Sequence, residues 1–575
     1  MKKPAKKETK ASLFTKKLQK RIEPANKYVS KLDRKSRLYT AILVLATLLL
    51  VLTSVWAGHK ASDAYSTNSN ALMLTQLFSK NTQYPAILPG PHATLIIIPL
   101  VYVQGHLPYH YTSFTLVNIG LVVLTMLAWA YLLIKLFGRK YEVPILVLLS
   151  SLIFTSLAFS QSLAYTTIRN IEYPIVLAFV MIVAYLLKGT AFSRKQLALA
   201  TLGTVLFIIT LAGDSFFNYA ILLPLAVVIG LYWVQSRRFT INMVKALGLT
   251  IGTFVGATLL KVALEAGGII HFDYGFWGPQ TILPVTRIWQ SVGVALTETL
   301  QMHGAYILGQ VINFKNVAVF INFGLMIVGI SGLLMILARA NRSYRKQDEL
   351  SSDYSFVLVV MAVSFFVIFL MYAVSGYAIA TLPSGQIVSA KNARYISFLP
   401  LITAIGLVWI LKNYYAKHTL FTVLICLALL TGIVTSYPSI RTAYLSHTQD
   451  LELAPPRESV DQIVDILKQN KVTKVTTDYW YGPVVRFWSN ESILVTPQVG
   501  CDASTLANPN NRKFTQQQNQ NVALIIDRGN LNYGFWQCSD EQLIELYGAP
   551  TKNFEVVGAG ANPPVKIWVY NNTPQ

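Results

Sequence analysis

The chain has 575 residues and a net charge of +22, with 53% hydrophobic and only 13% charged residues. A soluble domain carries about 25% charged residues, so this composition excludes an ordinary cytosolic enzyme. The placement of the charge argues against nucleic acid as a partner. Fourteen Lys and Arg against three acids crowd residues 1–38, and further basic residues follow alternate apolar runs.

Residues 1–38 read as a disordered basic tail lying against anionic lipid. Eleven apolar runs then read as transmembrane helices, at 39–58, 113–137, 143–162, 173–187, 197–213, 219–235, 246–264, 317–338, 356–374, 396–411 and 419–436. The basic clusters Arg139-Lys140, Arg194-Lys195, Arg237-Arg238, Arg339 to Lys346 and Lys412 with Lys417 fall on alternate sides. By the positive-inside bias they put the N-terminus in the cytoplasm and, with an odd number of spans, the C-terminus outside. The reading is thus an α-helical polytopic membrane protein, with a transmembrane domain at 39–438 and external loops at 58–112 and 267–316.

The first external loop carries Asp63 just past the first span. Asn70 to Phe78 follows, where Leu74, Leu77 and Phe78 share a helical face. Pro89-Gly-Pro-His92 breaks it, and the apolar segment Ala93–Val103 is too short to span a bilayer as a helix. Tyr109 and Tyr111 lead into the second span. Asp63 reads either as a helix cap in a solvated loop or as a carboxylate at the lipid surface.

Arg169 and Glu172 lie three apart before the fourth span and pair on a helical face. Asp214 sits in the tight turn Gly213–Asn218, either capping the sixth span or facing a site. In the loop after the seventh span, His271 and Asp273 are a weak metal signal; no cofactor is predicted, and a need for a divalent metal is left open. Pro284 to Leu308 reads as an amphipathic helix on the membrane, with Trp289 as an interfacial anchor.

Ser375 to Ala393 is small and polar and ends at Lys391-Asn-Ala-Arg394-Tyr395. An Arg at an outer helix end departs from the positive-inside bias. It either snorkels to headgroups or holds a phosphate through its planar fork.

After Pro438 the polarity becomes ordinary. Glu458–Gln469 and Asp540–Tyr547 read as helices; Val472–Thr477, Ile493–Thr496, Val522–Asp527 and Val565–Tyr570 read as strands. Residues 439–575 are therefore expected to form an extracytoplasmic α/β domain. Asn508–Asn521 is an Asn/Gln-rich loop. Cys501 and Cys538 lie in this external part, where a disulfide survives. No Walker motif or nucleophile elbow is present.

This layout resembles the GT-C superfamily of membrane glycosyltransferases, nearest the branch of protein O-mannosyltransferases and lipid A aminoarabinose transferases. The resemblance rests on Asp63, Tyr65, Ala71–Phe78 and Pro89-Gly-Pro-His92. It continues in Leu133-Ile-Lys-Leu-Phe-Gly-Arg-Lys140 and Arg394-Tyr-Ile-Ser-Phe-Leu-Pro400. Asp478-Tyr-Trp-Tyr-Gly-Pro-Val-Val-Arg-Phe-Trp488 is similar to an aromatic stretch in external domains of bacterial members. Many members carry an acidic pair in the first loop; here Ala64 follows Asp63, so one carboxylate is carried over.

The resemblance implies transfer, with inversion, of a sugar from a polyprenyl-phosphate donor to a glycan, lipid or protein acceptor at the outer face of a bacterial cell membrane. Asp63 would be the general base. Arg394 first, and Arg169 second, would hold the donor phosphate; His92 and the aromatic residues near Tyr109 and Tyr111 would line the sugar pocket; Tyr395, Glu172 and Asp214 would bind donor phosphate or sugar. The competing readings are a polytopic transporter or lipid-linked-glycan flippase, and a non-catalytic protein that presents its external domain.

Overall fold

A computed structural model describes residues 34–61, 86–89, 95–99, 111–164, 171–189, 191–236, 240–273, 282–313, 316–346, 353–381, 387–389, 393–414, 423, 426–435, 457–477, 481–489, 492–497, 521–527, 538–556 and 564–571. Among the described residues, seven helical segments are long and apolar enough to cross a membrane. They are Ser36–Gly58, Ile119–Phe137, Arg194–Gly213, Ile241–Ala266, Val317–Arg342, Ser355–Val374 and Ala393–Tyr414. All seven coincide with expected spans.

In chain order the membrane part runs α1 (Arg34–Ala61), β1 (Ala86–Pro89), α2 (Tyr111–Phe137), α3 (Glu142–Thr155), α4 (Leu157–Ala164), α5 (Glu172–Lys188) and α6 (Arg194–Gly213). A π-turn at Asn218–Leu222 leads into α7 (Leu223–Ser236), then α8 (Ile241–Ala266), β2 (Ile270–Asp273) and α9 (Val285–Met302). α10 (Val317–Lys346), α11 (Asp353–Val374), the hairpin β3 (Ile379–Thr381) and β4 (Ile387–Ser389), a 3₁₀ turn Ala393–Ile396 and α12 (Leu399–Tyr414) complete it. A shorter apolar helix, α13 (Cys426–Thr435), follows.

The other four expected spans are shorter or interrupted helices. The run 143–162 breaks at Ser156, whose backbone is extended (φ −110°, ψ 104°) between α3 and α4. Ser156 caps α4, its hydroxyl accepting from the N–H of Phe159 at 3.2 Å, and the same hydroxyl lies 2.9 Å from the carbonyl of Met302 and 3.0 Å from that of Gln301, at the end of α9. The runs expected at 173–187, 219–235 and 419–436 coincide with α5, with the π-turn plus α7, and with α13.

Local chemistry explains the helix ends. α6 starts on a capping box, with Ser193 and Gln196 exchanging side-chain to backbone bonds at 3.3 and 2.9 Å. Thr240 caps α8 on the N–H of Met243. α5 stops at Gly189, which adopts the left-handed conformation (φ 74°).

Glycine also sets a close helix crossing, α10 on α12. A Cβ at Gly332 would lie 2.3 Å from the carbonyl oxygen of Gly406, and one at Gly329 would lie 2.4 Å from Cγ2 of Thr403. Between apolar helices in lipid, small residues let backbones touch and gain dispersion contact. α12 is buried along almost its whole length, from Leu399 to Leu411.

The connecting loops are tied to one another. β1 pairs in parallel with β2, with Ala86 opposite Ile270 and Pro89 opposite Asp273. Thus the segment after the first span is hydrogen-bonded to the segment after α8. Ile282 bridges Ser375, and the N–H of Leu283 donates to the carbonyl of Val374 at 2.9 Å. α9 therefore begins beside the end of α11.

The C-terminal part contains α14 (Arg457–Gln469), β5 (Val472–Thr477), α15 (Tyr481–Trp488), β6 (Leu494–Pro497), β7 (Asn521–Ile526), α16 (Asp540–Tyr547), β8 (Lys552–Val556) and β9 (Val565–Tyr570). The sheet order is β6-β5-β7-β9-β8. β5 is parallel to β6 and β7, while β9 is antiparallel to β7 and β8. Val460, Ile463, Val464 and Leu467 of α14 and Tyr481 and Val485 of α15 cover one face. Leu543 of α16 and Cys538 pack with Leu524, Ile526, Trp568 and Tyr570 on the other. The alternating pattern anticipated α14, α16 and four of the five strands. It missed β8, which is exposed at the sheet edge, and α15, whose Tyr481-Gly-Pro start gives no helix signal. Cys538 is disulfide-bonded and Cys426 is free; Cys501, the expected partner, lies outside the described residues.

Candidate functional site

The centre of the site is Glu298, a buried carboxylate on α9, 3% exposed. α9 has an unusual distribution. Ser291, Ala295, Glu298, Thr299 and Met302 face inward, while Trp289 is 79% exposed and Val285 and Leu296 also point out. Its small and polar face packs on protein and its apolar face is free, the arrangement suited to a helix with lipid on its outer side.

Glu298 has two hydroxyl partners from two other elements. Tyr372, near the end of α11, donates to Oε2, and Ser389 of β4 donates to Oε1 at 2.5 Å. Burial pushes the Glu298 carboxyl up to about 6, against the opposing pull of its bonds from Ser389 and Tyr372. Each bond to the ionised form offsets part of the desolvation. The carboxylate is thus mostly charged at neutral pH although it is buried.

Arg394 belongs to the same neighbourhood. The 3₁₀ turn that carries it packs against α9 and α11, the helices of Glu298 and Tyr372. The Arg394 guanidinium carbon lies 5.5 Å from the centre of the Tyr395 ring, and that ring lies 4.6 Å from Tyr377. A hydrogen-bond chain fixes the 3₁₀ turn that carries Arg394. Ser397 donates to the carbonyl of Arg394 at 2.8 Å, so the Tyr173 hydroxyl, 2.5 Å from Ser397 Oγ, is the donor to Ser397. The Tyr173 ring stacks on Phe398 at 4.3 Å, and Trp129 meets Phe398 edge-on. α2, α5 and the start of α12 are locked together directly beneath Arg394.

A second polar knot lies one turn further along, where α9 ends. His303 is fully enclosed, 2% exposed, with Nδ1 2.8 Å from the carbonyl of Thr299 and Nε2 2.9 Å from the hydroxyl of Thr403. A carbonyl only accepts, so Nδ1 carries the proton and Nε2 accepts from Thr403. Burial pushes His303 down to about 4. Gly304 (φ 61°) follows, and a Cβ there would lie 2.7 Å from the carbonyl of Thr155. Asn322 spans the gap, donating to Thr155 Oγ1 at 2.8 Å and to the carbonyl of Gly304 at 3.2 Å. His303, Asn322 and Thr403 also line a small, largely apolar pocket between α3, α10, α12 and α13.

The residues expected from the sequence divide as follows. Arg394 and Tyr395 stand beside Glu298 and Tyr372. Glu172 is fully buried in the first turn of α5, next to Tyr173. Asp214 is buried at the end of α6, where Oδ1 accepts from the N–H of Phe216 at 2.9 Å and shapes the turn into Asn218. Asp63, His92 and Arg169 lie outside the described residues, as do Tyr109 and the segment Ala71–Phe78. Among the described residues no group of His, Cys, Asp and Glu is arranged to hold a metal ion.

No family model matches the chain, and no curated protein matches it. Among solved structures, the chain is similar to the oligosaccharyltransferase of Archaeoglobus fulgidus in its apo form. Identity is 13% and the TM-score 0.43, over 85% of this chain and 69% of that one. A likeness of that size fixes neither family nor activity, so the functional reading is built on the chain's own residues.

Sequence reasoning named Arg394 and Tyr395 and missed Glu298, Tyr372, Ser389 and His303. A signal for Glu298 existed. Ser291, Ala295, Glu298 and Met302 repeat at spacings of four, three and four, which puts them on one face opposite Trp289, Leu296 and Val285.

Proposed function

We propose that this chain is a membrane glycosyltransferase that transfers a sugar from a polyprenyl-phosphate donor to an acceptor hydroxyl or amide at the outer face. The observation that carries the reading is the set of charged and hydroxyl groups gathered at one place where spans end. Glu298, Tyr372, Ser389, Arg394 and Tyr395 come from four elements, and α2, α5 and α12 hold the turn beneath Arg394. A buried charge that served only the fold would be more stable as an apolar residue of similar volume. The parallel pairing of β1 with β2 adds support, because it ties the loop that carries Asp63 in sequence to the loop that leads into α9.

In this reading Asp63 takes the proton from the acceptor as its oxygen or nitrogen attacks the anomeric carbon. The bond from that carbon to the phosphate oxygen breaks on the opposite sugar face, and polyprenyl phosphate leaves with the electron pair. Arg394 stabilises the charge that develops on the leaving phosphate. Activation of the sugar happened when the donor was made, so no nucleotide is required.

The test is transfer from a synthetic polyprenyl-phosphate sugar by the purified chain in nanodiscs. Asp63→Asn should lower kcat by roughly 10²- to 10⁴-fold with folding intact. Arg394→Ala should raise the donor KM more than Arg394→Lys, which keeps the charge and loses the fork. Activity of Asp63→Asn within a few-fold of the parent would end the general-base assignment.

A further inference from the structure

Glu298 has no part in the reaction just described, yet a buried ionised carboxylate beside the expected phosphate cation has an electrostatic consequence. Its two oxygens accept from Tyr372 and Ser389, groups of the protein itself. It acts through space on whatever Arg394 binds, because the turn that carries Arg394 packs against α9. We propose that Glu298 is a positioning residue of the phosphate site, a counter-charge to Arg394 that weakens the hold on a phosphate when ionised and strengthens it when protonated.

The inference rests on Arg394 as the donor-phosphate cation. Its physical basis is Coulombic. A phosphodiester arriving at Arg394 brings a second negative charge near Glu298 in a site walled by protein, where charges interact far more strongly than in water. By linkage, the phosphate and the proton on Glu298 favour one another equally. Ionised Glu298 thus speeds release of the polyprenyl phosphate product, the step that clears the site for a new donor.

The pH range follows from the neighbours of Glu298. Burial holds its carboxyl at about 6. α4 contributes no titratable group, and neither do β3 and β4. α11 contributes Tyr372, the 3₁₀ turn contributes Arg394 and Tyr395, and α12 has Lys412 only at its far end. On and just beyond α9 itself are Arg287 and His303, and His303 stays neutral above about pH 5 because burial holds it at about 4. Among the described residues packed against Glu298, Glu298 itself is then the group that changes charge between about pH 5 and about pH 8.

The experiment measures binding of an undecaprenyl methyl phosphodiester to the full chain in zwitterionic nanodiscs. That probe keeps a single, non-titrating charge over the range. The parent should bind about tenfold more tightly at about pH 5 than at about pH 8. Glu298→Gln should bind tightly at both. Tyr372→Phe removes a hydrogen bond to the ionised form, so the midpoint of its profile should move to higher pH. A parent-like slope in Glu298→Gln, with Arg394→Ala still weakening binding, overturns the role of Glu298 and leaves the phosphate site standing. An unmoved midpoint in Tyr372→Phe does the same if Glu298→Gln does not fold. Unchanged binding by Arg394→Ala at both pH values overturns the phosphate assignment and this inference with it.

Discussion

Two buried polar residues five positions apart on one helix behave in opposite ways. Glu298 and His303 are each almost wholly enclosed. Each has two hydrogen-bond partners, and each includes a hydroxyl from another element. Burial acts on both in the same sense, against the charged form. For His303 the outcome at neutral pH is a neutral ring whose donor and acceptor are both matched, at little electrostatic cost. For Glu298 the shift to about 6 leaves the carboxylate mostly ionised at neutral pH. His303, which closes α9, is a neutral joint; Glu298, five positions earlier, stores a charge near Arg394. Burial and hydrogen bonding alone do not separate structural from functional residues here. The protonation state at working pH does.

The comparison can be broken most forcefully from the neutral end. Gly329→Ala puts a methyl 2.4 Å from Cγ2 of Thr403 and 2.7 Å from its carbonyl oxygen, and backbone cannot yield cheaply. Thr403 is the partner of His303. The expected outcome is a loss of about 3 kcal/mol or more and a lower midpoint in thermal unfolding in detergent. The pH profile of phosphodiester binding should survive in the protein that folds. A change in that profile would show that the two ends are not independent.

His303→Leu tests the same end with less force. It removes the ring and strands the Thr403 hydroxyl, at a cost of about 2–3 kcal/mol. Transfer activity per folded molecule should stay within about threefold, since an effect confined to stability does not enter the barrier. A fall in kcat of about a hundredfold with normal thermal stability would place His303 in the chemistry and erase the contrast with Glu298.

Much of this architecture was legible from the sequence, for a physical reason. A span that faces lipid must be apolar along about 20 residues, so α1, α6, α8, α10 and α11 announced themselves. Segments broken by contacts distant in sequence did not. Ser156 caps α4 on the N–H of Phe159, but it also meets carbonyls at the end of α9, and no local residue pattern encodes that meeting. The site shows the same divide. Arg394 stood out because a cation at that end of a helix is unexpected. Glu298 did not, because a polar face on an amphipathic helix is ordinarily taken to meet water. Only the packing of α9 against α4, α11 and the 3₁₀ turn shows that this polar face points inward. Asp214 was legible as an ambiguity, and its bond to the N–H of Phe216 accounts for it as a turn former.

The finest test of the contrast is the pH dependence of stability, because the two residues pull in opposite directions over one range. Glu298 is raised from 4.5 to about 6 on folding, so the native state binds its proton more tightly than the unfolded chain does. Its contribution is fully present below about pH 4.5 and is lost as pH rises through about 6, roughly 2 kcal/mol in all. His303 is lowered from 6.5 to about 4, so the unfolded chain holds the proton more tightly. Its contribution is fully present above about pH 6.5 and is lost as pH falls towards 4, roughly 3 kcal/mol in all. Between about pH 4.5 and about pH 6 the two slopes oppose, and the parent chain should show a shallow profile from this pair. Single variants should separate them. Glu298→Gln should give a thermal midpoint that rises more steeply with pH over that interval than the parent's. His303→Leu should give one that falls as pH rises. Parallel profiles in all three proteins would mean that neither group changes protonation on folding, and the contrast between a neutral His303 and a charged Glu298 would not stand.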